Sequence, residues 1–175
     1  LCEGDDFWTD PYKLQKQYDV LELHPEIDIC AHTASRINAL TKEETGRIQP
    51  SKEDTIFSIE QVIMGSGGFV ATNSLMYRRE LMENPPPFRQ FLKLDYTLQI
   101  LGSLRGGMLF LKDNMSSYRV LSKGSWTSQI AKDNDRFVKH TDKLCNMLKI
   151  LNVDTNYAYN STINERILLF EFEKV

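Results

Sequence analysis

Apolar and polar residues change period several times along the chain, and each change marks an element. Leu1 and Cys2 read as the end of a buried strand, with a polar turn from Glu3 to Asp6 behind it. Leu14, Tyr18 and Leu21 fall at i, i+4 and i+7, one face of a helix that starts at Asp10-Pro11 and stops at His24-Pro25. On that reading Lys13, Lys16 and Asp19 point away from the core. Ile27, Ile29 and Ala31 alternate with Asp28, Cys30 and His32, the period of a short strand. Residues 37–52 are polar, contain Gly46 and Pro50, and predict a loop. A short helix is predicted over 58–64, then a break at Gly65-Ser66-Gly67-Gly68 and a strand-like run over 69–77. A short helix over 79–83 stops at Pro85-Pro86-Pro87.

Residues 95–101 predict a helix with Asp95 near its start and Leu94, Leu98 and Leu101 supplying its apolar side. Gly102 and Gly106-Gly107 bracket a turn. Met108, Phe110, Met115 and Tyr118 mark a strand region interrupted by Lys112-Asp113-Asn114. A long amphipathic stretch over 126–151 carries Phe137, Leu144, Leu148 and Leu151 at helical period, and a last helix over 155–172 carries Ile163, Ile167, Leu168 and Phe170. This order predicts an α/β chain, α+β in detail, with a mixed sheet and C-terminal helices.

Composition narrows the classes. The chain has 175 residues, 41% of them hydrophobic and 26% charged, enough for one packed core. A net charge of −3 and no basic run longer than Arg78-Arg79 argue against nucleic acid as a partner. The cysteines Cys2, Cys30 and Cys145 are far apart, and His24, His32 and His140 form no metal-binding pair. Reduced thiols and the lack of a visible signal segment point to the cytoplasm. No apolar run approaches the ~18 residues of a membrane span.

Three groups carry candidate chemistry. Glu3-Gly4-Asp5-Asp6 puts three carboxylates at the end of a strand, where ligands bind in open α/β sheets, and oxygen-only ligands favour a hard cation, Mn²⁺ or Mg²⁺. The alternative is an acidic turn capping the next helix. Asp95 has the chemistry of a general base; the alternative is an N-cap. Tyr118-Arg119 with Lys123-Gly124-Ser125-Trp126, and the Gly65–Gly68 break, suit phosphate binding; the alternatives are a surface loop and a flexible turn.

The run Leu1-Cys2-Glu3-Gly4-Asp5-Asp6-Phe7-Trp8-Thr9-Asp10-Pro11, followed by Lys13-Leu14-Gln15-Lys16-Gln17, resembles the middle of bacterial family 2 glycosyltransferases with the nucleotide-diphospho-sugar A-type fold. The resemblance covers residues 1–128 and treats 129–175 as a helical extension. It implies transfer of a sugar, with inversion, from a nucleotide diphosphate sugar to a saccharide or lipid-linked acceptor in cell-surface polysaccharide synthesis. It implies Glu3 near the donor ribose, Asp5 and Asp6 at the DxD-like metal site, Trp8 and Arg119 beside the donor diphosphate, and Asp95 as catalytic base. It also implies a nucleotide-binding half ahead of Leu1, without which the fragment is expected to be inactive. An acceptor on a lipid would set the enzyme at the inner face of the membrane, and the amphipathic tail is a candidate for peripheral contact there, with core packing as its alternative use. Two positions depart from the pattern. Leu121 stands where many relatives carry histidine, and Leu94 where they often carry Gly or Glu. A sheet lacking its other half is expected to self-associate. The rival reading is a non-catalytic binding module.

Overall fold

The computed structural model describes residues 4, 6–120 and 133–174. Two long strands, β2 (Ile29–Asn38) and β6 (Met108–Val120), lie side by side in parallel and form the middle of a mixed sheet. Short strands flank them, all antiparallel. The far edge of β6 pairs with β4 (Thr55–Phe57) and then with β1 (Phe7–Trp8). The far edge of β2 pairs with β5 (Met76–Tyr77) and then with β3 (Glu44–Ile48). Helix α1 (Lys13–Leu23) covers one face. The other face carries α2 (Ile59–Gly65), α3 (Pro87–Phe91), α4 (Asp95–Ser103), α5 (Asn134–Asp154) and α6 (Asn160–Phe172).

Covering both faces explains the strands. Every residue of β2 from Ile29 to Ser35 is buried. Ile29 and Ala31 pack with Met108 and Phe110 against the helices, while Cys30 packs with Leu109, Leu111 and Met115 against α1. The short strand expected over 27–32 instead runs from Ile29 to Asn38 and does not alternate between core and solvent. The expected break at Lys112-Asp113-Asn114 is an irregularity inside one continuous strand: His32 pairs with Leu111 but Thr33 pairs with Asn114. Such a bulge exposes the extra residues without ending the ladder. Lys112 and Asp113 use the exposure to reach Asp54 and Lys16.

Several expectations need correction. The inward face of α1 is Lys13, Gln17 and Leu21, whereas Leu14 and Tyr18 are half exposed at 48% and 55%. Lys13 is fully buried because its ammonium donates to Gln17 Oε1 at 2.7 Å and lies 4.5 Å above the Trp8 ring. Residues 37–52 are not all loop, since 44–48 form the edge strand β3, too polar to show a period. The run 69–77 is a 3-10 turn, Thr72–Ser74, followed by the two-residue strand β5. The triple proline starts a helix as well as stopping one, with Pro87 as first residue of α3. Gly102 lies inside α4, and Leu168 is 60% exposed. The helix expected from 126 begins, among the described residues, at Asn134, where Asp133 caps it by accepting from the Arg136 N–H at 3.0 Å.

Close packing of α4 on β2 depends on Gly102. A Cβ there would lie 2.5 Å from the Ile29 Cβ. Gly102→Ala is therefore expected to cost ~1–3 kcal/mol by overpacking, read as a lower urea midpoint with an unchanged denaturant slope.

His32 sets a pH dependence. Its ring is wholly buried, Nδ1 lies 2.8 Å from the Thr33 carbonyl, and Nε2 finds no partner among the described residues. Burial is the main cause that pushes its pKa down to about 4; the Thr33 carbonyl opposes this and the charge of Lys13 adds to it. The folded state thus refuses a proton that the unfolded chain accepts near pH 6.5. The contribution is complete above pH 6.5 and is lost as pH falls toward 4, by ~3 kcal/mol. Unfolding free energies across that window are expected to fall in the native chain and to flatten in His32→Gln.

Candidate functional site

The site is built around the turn Thr72–Ser74, whose Asn73 and Ser74 are wholly buried. Four elements tie into these three residues. Asn73 Nδ2 donates to the Ser117 carbonyl of β6 at 2.9 Å, and Ser116 Oγ donates to Asn73 Oδ1 at 3.0 Å. From β1, Trp8 Nε1 donates to the Asn73 carbonyl at 3.2 Å. From α1, Gln17 Nε2 donates to the Ser74 carbonyl at 2.8 Å. Toward α4, Thr72 Oγ1 donates to Asp95 Oδ2 at 2.5 Å.

Asp95 is the first residue of α4, and Leu94 occupies the N-cap position. The capping alternative therefore does not describe it. The free N–H of Leu94 is met by Thr97 Oγ1 at 3.2 Å, which leaves the Asp95 carboxylate for Thr72 and for the space beyond. Negative charge is favoured at that end of a helix. Arg89 of α3 braces the same turn, donating from Nη1 to Thr97 Oγ1 at 2.9 Å and to the Leu94 carbonyl at 3.3 Å. Burial lowers the Arg89 pKa, while Tyr77 and Asp95 act to raise it.

The space beyond Asp95 is a cavity of about 340 Å³. Its lining comes from β3 through Ile48, from the Ser66-Gly67-Gly68 loop, from Thr72 and Asp95, from Tyr118 of β6, and from His140 and Leu144 of α5. The glycine break thus reaches the site as cavity wall. Gly65 itself ends α2, where a Cβ would lie 2.2 Å from the Phe69 ring. His140 is held below its ordinary pKa first by burial and then by the charge of Lys143.

Asp6, Trp8 and Arg119 share one neighbourhood at the far end of β6. Asp6 Oδ1 accepts the Arg119 N–H at 2.9 Å, and the Arg119 guanidinium lies 5.2 Å above the Phe7 ring. Trp8 pairs with Ser116 and reaches Asn73. One turn, Thr72-Asn73, therefore separates this neighbourhood from Asp95. Glu3, Asp5 and the segment Lys123–Trp126 lie outside the described residues. Among the described residues no group of three or more His, Cys, Asp or Glu side chains is arranged to hold a metal ion; of the two expected metal ligands only Asp6 is among them. No described helix is long and apolar enough to cross a membrane.

Three contributors were missed in the sequence: Thr72, Arg89 and His140. Thr72 sits in an apolar run that reads as strand. His140 carried a usable signal, since it lies three residues after Phe137 and four before Leu144 on the inward face of α5.

No family model matches the chain. It is similar to an uncharacterized protein of Mycobacterium bovis and to uncharacterized proteins of two strains of Mycobacterium tuberculosis, each 32% identical over 128 residues. The match covers 73% of this chain and 36% of each relative. The chain thus spans about a third of the length of the curated relatives it matches.

Proposed function

We propose that this chain is the metal- and acceptor-binding part of an inverting, nucleotide-sugar-dependent glycosyltransferase of A-type fold. The observation that carries the reading is Asp95: a carboxylate at a helix start, fixed through one oxygen by Thr72, on the wall of a cavity. In the reaction, an acceptor hydroxyl gives its proton to Asp95 as its oxygen attacks the anomeric carbon from the face opposite the leaving group. The bond from that carbon to the diphosphate breaks, and the nucleoside diphosphate departs with the electron pair. Thr72 holds Oδ2, so Oδ1 takes the proton. Arg89 keeps the first turn of α4 in place. Trp8 and Arg119 would border the donor diphosphate, with Glu3 toward its ribose. A divalent cation, Mn²⁺ or Mg²⁺, would be held by Asp5 and Asp6 and would offset charge on the diphosphate. Cell-surface polysaccharide synthesis at the inner face of the membrane is the setting this reading implies.

One observation favours the rival, a binding module: Asp6 already serves the backbone of Arg119. A donor panel separates the two. A form of the protein that binds a nucleotide sugar is expected to release nucleoside diphosphate from one donor when Mn²⁺ is present. No turnover of any donor favours the binding module.

A further inference from the structure

The lining of the cavity beside Asp95 is mixed, apolar side chains together with a carboxylate. Ile48, Val70, Leu94 and Leu144, from separate parts of the chain, supply apolar lining. Among the described residues that line the cavity, Asp95 supplies the one carboxylate and none is Lys or Arg. Burial and Lys143 favour the neutral form of His140, so the described part of the lining carries the negative charge of Asp95 alone. A volume of about 340 Å³ lies at the small end of ligand pockets, roughly 300–1,000 Å³, and suits one sugar ring with a short hydrocarbon attached.

We propose that the cavity takes an uncharged sugar bearing an apolar substituent, with its hydroxyl at Asp95 and its hydrocarbon against Ile48, Val70, Leu94 and Leu144. Calling that sugar the acceptor rests on the transferase reading; its binding does not. An anionic sugar is disfavoured by the charge of Asp95, with no Lys or Arg among the described lining residues to compensate it. Each methylene buried on the apolar lining adds ~0.8 kcal/mol, so two are enough for a gain of about tenfold.

The test is an NMR titration of the 175-residue chain with monomeric octyl β-glucoside, methyl β-glucoside and octyl β-glucuronide. Octyl β-glucoside is expected to bind at least ~10-fold tighter than the methyl glucoside. The glucuronide is expected to bind at least ~10-fold more weakly than octyl β-glucoside, with Asp95→Asn removing that difference. Ile48→Thr, at the half-buried end of the exposed edge strand, should weaken octyl β-glucoside, whereas Leu168→Thr on the outside of α6 should not. Equal binding of the methyl and octyl glucosides, equal binding of glucoside and glucuronide, or an equal effect of Leu168→Thr would overturn the proposal. Binding as predicted in a protein with no donor turnover would sink the transferase reading and leave this site standing. Donor turnover with equal binding of the two glucosides would do the reverse.

Discussion

Asp95→Asn is expected, on the transferase reading, to lower sugar transfer by ~10²–10⁴-fold, the range set by loss of a positioned general base. The amide keeps the shape and still accepts from Thr72 through its oxygen, so folding and acceptor binding should change little. The loss should therefore appear in kcat, with KM nearly unchanged. Thr72→Val removes the bond that fixes Oδ2. A hydrogen bond to a charged group contributes about 1.5–3 kcal/mol, so this variant should lose ~10–100-fold. Thr72→Ser keeps the hydroxyl and should recover most of that loss. A general destabilisation of the site would not be repaired by serine alone. Initial rates with the active donor, at saturating acceptor, measure all three.

The largest effect on stability is expected at Asn73. Its amide joins the Ser117 carbonyl and the Ser116 hydroxyl inside a fully buried turn. Asn73→Ala leaves both partners buried and short of a bond, at ~1–3 kcal/mol each. An unfolding free energy lower by ~2–4 kcal/mol follows, with an unchanged denaturant slope. Because Trp8 and Asp95 both attach to this turn, loosening it should also disturb their resonances together. A loss below ~0.5 kcal/mol, typical of an exposed position, would mean that the turn is not the junction described.

The helices over 58–64 and 95–101 were legible because Ser58 supplies a cap and Asp95 opens an apolar run. Asp95 was equally legible as a candidate, since a carboxylate at a helix start has few meanings. The buried face of α1 was not legible. Lys13 read as solvent-facing and Gln17 was not placed, because their partners, Trp8, Ser74 and Cys30, come from elsewhere in the chain. Strand β3 was hidden for the opposite reason: it is an exposed edge, so no apolar period was required of it. Thr72 was concealed within apolar neighbours, and its meaning depends on a side chain 23 positions away. Polar residues whose partners are distant are the ones that periodicity misreads, and here they form the site.

The most direct test of the transferase reading is acceptor-dependent release of nucleoside diphosphate, comparing the native protein with Asp95→Asn in a form that binds a nucleotide sugar. The account predicts release that rises with acceptor in the native protein and falls by at least ~100-fold in the variant, with the variant still folded. Equal release by the two proteins would contradict the assignment of Asp95 as the base.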